Sequence, residues 1–154
     1  MCVYPELSNY ISDCIGSVKP ILEKGEIEKL IIALLSKDRV VEKFVFDIKQ
    51  EPVRPFDVKD DKDLSKLEES LRAFCLKLSI SDSLLKPLPS DTTFSIQIQV
   101  PEDYKQDVDM PEKKEVEMGK SHIVPLKSLK TEICEMQLYV EESNQKNKTP
   151  SHPS

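Results

Sequence analysis

The sequence contains only three glycines, Gly16, Gly25 and Gly119, among its 154 residues. None of them belongs to a GxGxxG or GxxxxGK pattern, in which glycines let the backbone approach a phosphate group closely. The chain also has no run of about 18 consecutive apolar residues, the length that a helix needs to cross a bilayer. The sequence therefore predicts neither a nucleotide-binding loop nor a membrane span.

Residues typical of metal and nucleophile sites are also scarce. The histidines are His122 and His152, and the cysteines are Cys2, Cys14, Cys75 and Cys134. They form no CxxC or HExxH motif, and neither histidine adjoins a cysteine or serine in a recognisable nucleophile motif. We expect no metal, no cofactor and no enzymatic activity. Because the N-terminus shows no secretory signal, we expect the cysteines to be reduced.

Pairs of acidic residues leave one alternative open. The pairs Asp60–Asp61, Glu68–Glu69 and Glu141–Glu142 are interpreted as solvated faces or helix-end charges. A small hydrolase or transferase would need such carboxylates to converge with His122 in a pocket. The sequence shows no sign of that convergence, so a binding protein is the preferred interpretation.

A strongly basic segment is missing as well. Lys and Arg total 22 against 28 Asp and Glu, which gives a formal net charge of -6, and the two signs are interspersed. Proteins that bind nucleic acid usually carry a basic stripe, because each neutralised phosphate releases counterions. We therefore expect no direct nucleic-acid binding, no membrane binding and a nuclear or cytosolic location.

Apolar residues at three- and four-residue steps predict two helices. The first begins at Pro5 and ends before Gly25, with Pro20 expected to kink or interrupt its last turn. The second carries an apolar stripe, which consists of Leu64, Leu67, Leu71, Phe74 and Leu78.

Alternating and β-branched runs predict the strands. Two runs flank the polar turn SKDR and indicate a hairpin, whose first strand, residues 30–35, is apolar on both faces and therefore central in a sheet. The stretch TFSIQIQV alternates cleanly, with Phe94, Ile96, Ile98 and Val100 pointing inward. The stretches HIVPL and TEICEMQLYV follow a charged connection of residues 101–122, and loops of that length are usually functional or disordered.

The last strand has two different faces. Cys134, Met136, Leu138 and Val140 point one way and can pack on helices, whereas Tyr139 lies on the opposite, polar face. A tyrosine on a solvent-facing side of a sheet either contacts a partner protein or covers part of its own sheet.

Five stretches, in this order, resemble the HORMA-domain family: YPELSNYISD, VKPILEK, VEKFVFDI, LEESLRAFCLKLSISDSLL and VPLKSLKTEICEMQLYVEE. The resemblance covers nearly the whole chain. It implies an α+β fold in which a HORMA-like sheet packs against helices and carries a C-terminal safety belt. Residues 1–142 would form a partial HORMA domain without the family's first helix and first strand, and residues 143–154 a polar disordered tail.

The same resemblance implies a function without chemistry. A HORMA domain captures a short, proline-containing segment of a partner as an added strand and encloses it under the safety belt. The members that this chain resembles most serve translesion DNA synthesis, so we expect a non-catalytic adaptor that bridges translesion DNA polymerases. The alternative is a spindle-checkpoint HORMA protein that regulates the anaphase-promoting complex.

Five residues match functional positions of the family. Tyr10 matches a helix tyrosine that touches the captured polymerase peptide. Ile123, Gln137 and Tyr139 match the belt surface that binds the C-terminal domain of the deoxycytidyl-transferase translesion polymerase. Arg72 matches a helix arginine at a self-association surface, although an exposed helix charge explains it equally well. The family's belt tryptophan has no counterpart, because the chain contains no tryptophan.

The partners that the resemblance implies are all proteins. They are the catalytic subunit of DNA polymerase zeta, the deoxycytidyl-transferase polymerase, activators of the anaphase-promoting complex or DNA end-protection factors, and a second copy of the chain as a homodimer. The implied location is the nucleus, with the cytoplasm and the spindle as further sites.

Overall fold

The computed structural model describes residues 3–50, 61–103, 118–131 and 134–146. They form one antiparallel sheet of five strands, and the order of the strands across the sheet is β3-β1-β2-β5-β4. The strands are β1 (Lys29–Ser36), β2 (Arg39–Gln50), β3 (Thr93–Gln99), β4 (Ser121–Lys130) and β5 (Cys134–Ser143). Helices α1 (Pro5–Glu23) and α2 (Asp61–Ile80) pack on the sheet, and a short 3-10 helix (Ser81–Leu84) follows α2. The predicted α+β class is confirmed.

Helix α1 covers the end of the sheet near β3. Pro5 occupies its first turn, where a missing backbone N–H costs nothing. Ile21 is buried, and with Val18 and Leu22 it packs against a small core that includes Ile98. The helix continues through Pro20 to Glu23, so the proline does not end it.

The β1–β2 hairpin forms the centre of the sheet. Its two-residue turn, Lys37 and Asp38, has positive φ angles of 50° and 61°. Such angles match the right-handed twist of the flanking strands in a tight hairpin. Strand β1 lies between β3 and β2, and Ala33 is fully buried, so the predicted central strand is confirmed.

Helix α2 packs over the other half of the same face. Phe74 is 3% exposed, and Leu67 and Leu78 join it against Leu138 and Val140 of β5. The predicted apolar stripe is wrong at its margin, because Leu64 and Leu71 are 48% and 43% exposed. With about 100° of rotation per residue, these two leucines lie to one side of the line through Leu67, Phe74 and Leu78.

Strands β4 and β5, with the turn that follows them to Lys146, are called the belt. Strand β5 pairs with β2 from Glu42↔Glu142 to Gln50↔Cys134, and β4 pairs with the far side of β5. Among the described residues, Leu138 and Val140 are the largest fully buried side chains, and they lie on the face that α2 covers. The C-terminal segment, where the resemblance implies a safety belt, therefore docks on the β2 side of the β1–β2 hairpin.

The predicted boundary after residue 142 falls inside the described fold. Strand β5 runs to Ser143, a turn follows, and Lys146 is 3% exposed. Residues 147–154 of the predicted tail lie outside the described residues.

Candidate protein-binding surfaces

The outer edge of β3 is the first candidate surface. Strand β3 pairs with β1 through seven residue pairs, from Lys29↔Gln99 to Leu35↔Thr93. In the part of the chain that the structure describes, no strand pairs with its other side. An unpaired edge presents a row of backbone donors and acceptors, which can add an extended segment of another protein as a further strand.

Helix α1 places Tyr10 at this edge. The Tyr10 and Phe94 rings meet edge to face, with their centroids 5.9 Å apart. Tyr10 is 42% exposed and Phe94 is 38% exposed, so the pair remains accessible. Partial burial raises the pKa of the Tyr10 phenol and Cys14 adds to this, whereas a hydrogen bond with the backbone of Ile96 acts in the opposite direction. The phenol therefore lies against β3 itself.

The chain leaves the sheet at one edge and re-enters it at the opposite edge. Strand β3 ends at Gln99, and β4 begins at Ser121 as the strand farthest from it. With about 4.8 Å between neighbouring strands, the two edges are roughly 19 Å apart. A hairpin would have put β4 beside β3 and covered the edge where Tyr10 lies. Docking of the belt on β2 instead leaves that edge available.

The belt carries the second candidate surface, a groove of about 690 Å³. Ile123, Gln137 and Tyr139 all line it, so the three residues predicted for one surface do lie together. Their positions follow from the β4–β5 register, which places Pro125 opposite Tyr139 and Ser128 opposite Gln137. Ile123 is 62% exposed, whereas Tyr139 is half-buried. Their role in binding stays a prediction.

Two lysines and a bulge also shape this groove. Lys77 of α2 and Lys127 of β4 line it together with Leu126. Leu126 is the extra residue of a bulge, because Pro125 pairs with Tyr139 and Lys127 with the next residue, Leu138. Bulges turn side chains of an edge strand away from the regular alternation. The sequence-based predictions did not include these residues, and the one local signal for them is a proline and a lysine, Pro125 and Lys127, close together in one strand, as is common at sheet edges.

Arg72, predicted for self-association, is exposed on α2. Its guanidinium donates to Oε1 of Glu68 over 2.6 Å, one helical turn away, and both side chains are more than half exposed. Exposed pairs of this kind contribute little to stability. The self-association role stays a prediction.

The acidic pairs do not all behave as predicted. Glu68 and Glu69 are exposed, as expected, but Glu142 is only 2% exposed, so the interpretation of Glu141–Glu142 as a solvated pair is wrong. Burial is possible because the Lys86 amide and the Lys146 ammonium both donate to the Glu142 carboxylate. Asp60 and the side chain of Asp61 lie outside the described residues.

His122 lies in β4 and does contact a carboxylate, as an enzymatic alternative would require. Its Nε2 is 3.1 Å from Oε1 of Glu142, and its Nδ1 is 2.8 Å from Oδ1 of Asn144. Both ring nitrogens therefore face oxygen atoms of neighbouring side chains, which hold the imidazole in place. The contact fits a structural role better than a catalytic one.

The described residues contain neither a cluster of typical metal ligands nor a helix suited to span a membrane. Within residues 3–50, 61–103, 118–131 and 134–146, no three His, Cys, Asp or Glu side chains converge as metal ligands would. Among the helices of the same residues, none combines the length and the apolar character of a membrane span.

Solved structures with the same fold bind other proteins. A chain of the mitotic checkpoint complex matches with a TM-score of 0.77 and 18% identity, over 92% of this chain and 76% of that one. C. elegans HTP-2 bound to the HIM-3 closure motif matches with a TM-score of 0.65 and 11% identity, over 87% and 68%. The shared fold is that of HORMA domains.

Relatives in sequence make the assignment specific, although no family model matches the chain. The mitotic spindle assembly checkpoint protein MAD2B of Bos taurus is 37% identical over 159 residues, which cover 96% of this chain and 74% of the relative. The DNA polymerase zeta processivity subunit of Arabidopsis thaliana is 32% identical over 145 residues, covering 90% and 66%. The chain belongs to the HORMA-domain family, in the group that contains MAD2B and the polymerase zeta processivity subunit.

Proposed function

We propose that this chain is a non-catalytic adaptor that captures an extended, proline-containing segment of one protein at the edge of β3 and binds a second protein through the belt groove. The two partners would be the catalytic subunit of DNA polymerase zeta and the deoxycytidyl-transferase polymerase. The adaptor would then join two polymerases during translesion DNA synthesis, in the nucleus.

The unpaired edge of β3 is the observation that carries this proposal. The strand TFSIQIQ contains no charged residue and no proline. Natural sheets commonly protect free edges with charges, prolines or bulges, because an unprotected edge pairs with other chains. An edge without these devices, with an accessible aromatic pair beside it, suits the addition of a partner strand.

Capture can be tested by calorimetry with a proline-containing peptide from the catalytic subunit of polymerase zeta. We expect saturable one-to-one binding by the folded chain and none by a peptide of the same composition in scrambled order. The absence of binding to a chain shown to be folded by circular dichroism would contradict the capture function.

The groove can be tested separately, because it lies on the opposite edge of the sheet from β3. Tyr139→Ala should abolish binding of the C-terminal domain of the deoxycytidyl-transferase polymerase, since central tyrosines often dominate binding energy. The same variant should bind the captured peptide as the unchanged chain does. Lys130→Ala, an exposed change in β4 outside the groove, is the matched control. Loss of both partners with Tyr139→Ala would indicate unfolding and not a binding surface.

A checkpoint role is the second candidate function, and the names of two similar proteins favour it. One curated relative is named as a spindle assembly checkpoint protein, and one solved structure is a mitotic checkpoint complex. A pull-down from mitotic cells, comparing activators of the anaphase-promoting complex with subunits of polymerase zeta, would separate the two functions. Enrichment of the activators alone would favour the checkpoint function.

A further inference from the structure

Three buried charged side chains join the belt to the rest of the sheet. Glu42 lies on β2, Glu142 on β5, and Lys146 in the turn after β5. Their side chains are 3%, 3% and 0% exposed, respectively. We call these three residues the charge cluster. Ionised side chains are almost never buried to this extent unless they are paired.

The two glutamates oppose each other in the pairing that docks the belt. Glu42 and Glu142 are direct partners in the β2–β5 register, and both point to the helix-covered face. Like charges directly opposite each other destabilise a strand pair, and burial strengthens the repulsion because water no longer screens it. The β2–β5 pairing therefore contains a repulsion that another group must offset.

Lys146 supplies the compensating charge. Its ammonium donates to Glu42 and to the backbone carbonyl of Lys86, and its Nζ is 3.0 Å from Oε2 of Glu142. An ammonium has three donors, so these three acceptors use all of them. The Lys86 amide donates to the same Glu142 oxygen over 2.7 Å. Two of these three contacts of the lysine thus link the belt to β2 and to the segment after α2.

The two carboxylates depend on Lys146 to different degrees. Burial raises the pKa of Glu42, and the hydrogen bond from Lys146 only partly opposes it. Burial also acts to raise the pKa of Glu142, but the Lys86 amide and Lys146 outweigh it and lower the pKa below its ordinary value. Glu142 has two further neighbours, the Lys86 amide and His122, which remain when the lysine is removed. Loss of Lys146 should therefore destabilise the ionised form of Glu42 more than that of Glu142.

We propose that the charge cluster is the latch of the belt: Lys146 allows β5 to stay paired with β2, and loss of its contacts lets β5 separate and release a captured segment. The release step rests on the capture function proposed above, whereas the effect on β2–β5 pairing does not. The position of the cluster supports a local effect, because α1, β1 and β3 contribute none of its members.

Amide hydrogen exchange of the full chain tests the latch without any partner. Lys146→Met keeps a long apolar stem but leaves two opposed buried carboxylates, so exchange in β2 and β5 should accelerate on the order of a hundredfold. Exchange in β3 and α1 should stay unchanged. Lys130→Met is the matched control, since Lys130 is exposed on the belt, and it should alter neither region. An equal acceleration throughout the chain would overturn the latch, because the cluster would then stabilise the whole fold.

A second variant keeps the test informative if Lys146→Met does not fold. Glu42→Gln removes one of the opposed charges and leaves Lys146 paired with Glu142. The double variant Glu42→Gln/Lys146→Met should therefore exchange more slowly in β5 than Lys146→Met alone. A double variant in which β5 exchanges as fast as in Lys146→Met, folded or not, would overturn the proposed compensation.

The release step has its own measurement. The dissociation rate of a captured proline-containing peptide should rise at least about tenfold in Lys146→Met, while Lys130→Met leaves it unchanged. An unchanged rate in Lys146→Met would overturn release through the latch. If the unchanged chain binds no peptide, the capture function fails, and the exchange comparison still decides whether the cluster controls β2–β5 pairing.

Discussion

The two edges of the sheet are built in opposite ways. The β3 edge has no proline, no charge and no bulge, whereas β4 contains Pro125, Lys127, Lys130 and a bulge at Leu126. Those devices discourage a further strand from pairing at an edge. The difference favours the proposed strand addition on the β3 side, while the β4 side offers a groove lined by side chains. One sheet can thus present two surfaces that do not compete for the same kind of partner.

The hydrophobic core also consists of two parts, one nearer to each edge of the sheet. The cluster around Phe74, Leu138 and Val140 holds α2 against the belt, and a separate small cluster around Ile21, Ile27 and Val100 lies under α1. A substitution in one of these clusters should therefore disturb the nearer edge of the sheet more than the farther edge.

The largest expected effect comes from Phe74→Ala. Truncation of a buried phenylalanine costs about 3–5 kcal/mol of the free energy of unfolding. Because Phe74 contacts belt residues, we expect the loss in urea denaturation together with faster exchange in β4 and β5. Leu71→Ala, on the exposed side of the same helix, is the control and should cost much less. Equal costs for the two variants would contradict the packing described for α2.

Glu142→Gln should weaken the belt in a way that depends on pH. Because the pKa of Glu142 is lowered in the folded chain, its contribution to stability is present above the ordinary pKa of 4.5 and is lost as pH falls through the lowered value. At pH 7 the variant should lose about 1.5–3 kcal/mol, typical of a hydrogen bond to a charged group. The difference from the unchanged chain should shrink towards pH 3.

Glu42 should contribute a pH dependence of stability opposite to that of Glu142, since the pKa of Glu42 is raised in the folded chain. The folded form then binds its proton more tightly than the unfolded form, so this group favours folding at low pH and loses that effect as pH rises through the raised value. Urea denaturation of Glu42→Gln at several pH values gives the measurement. A pH dependence identical to that of the unchanged chain would show that Glu42 does not titrate differently on folding.

Ile123→Ala separates binding from stability at the β4 edge. Ile123 is 62% exposed, so the free energy of unfolding should change by less than about 0.5 kcal/mol. Binding of the second polymerase domain should nevertheless weaken by about 1–2 kcal/mol, since Ile123 lines the groove. Calorimetry measures the binding and urea denaturation the stability. Unchanged binding would remove Ile123 from the proposed surface.

Tyr10→Ala should have the smallest effect, and only at the β3 edge. Loss of the ring contact with Phe94 removes about 0.5–1.5 kcal/mol of aromatic interaction from a peptide site built on it. Peptide affinity should fall several-fold, while binding at the groove stays constant. Tyr4→Ala, a tyrosine at the start of the same helix, is the control. An equal loss in both variants would indicate a general effect on α1.

Local sequence patterns predicted the helices and strands well, because each of these elements depends mainly on residues that are close together in the chain. The hairpin followed from β-branched runs around a polar turn, and the alternation in β5 correctly separated Leu138 and Val140 from Gln137 and Tyr139. The resemblance to a family supplied the belt and its candidate surface. The three belt residues it named do line one groove, and their role in binding stays a prediction.

The charge cluster could not be read from local patterns. Glu42 and Lys146 are 104 positions apart, and an adjacent pair of acids on a strand normally indicates a solvated face. Burial of Glu142 depends on a lysine in the following turn and on a backbone amide after α2. The choice of β2 over β3 as the docking edge is non-local in the same way, since both strands alternate and both were free to accept a neighbour.

Amide hydrogen exchange with and without a captured proline-containing peptide is the most direct test of the difference between the edges. Peptide addition should slow exchange at backbone amides of β3, which would gain hydrogen-bond partners, and leave those of β4 unchanged. Protection at β4, or binding without any protection at β3, would contradict strand addition at the unprotected edge.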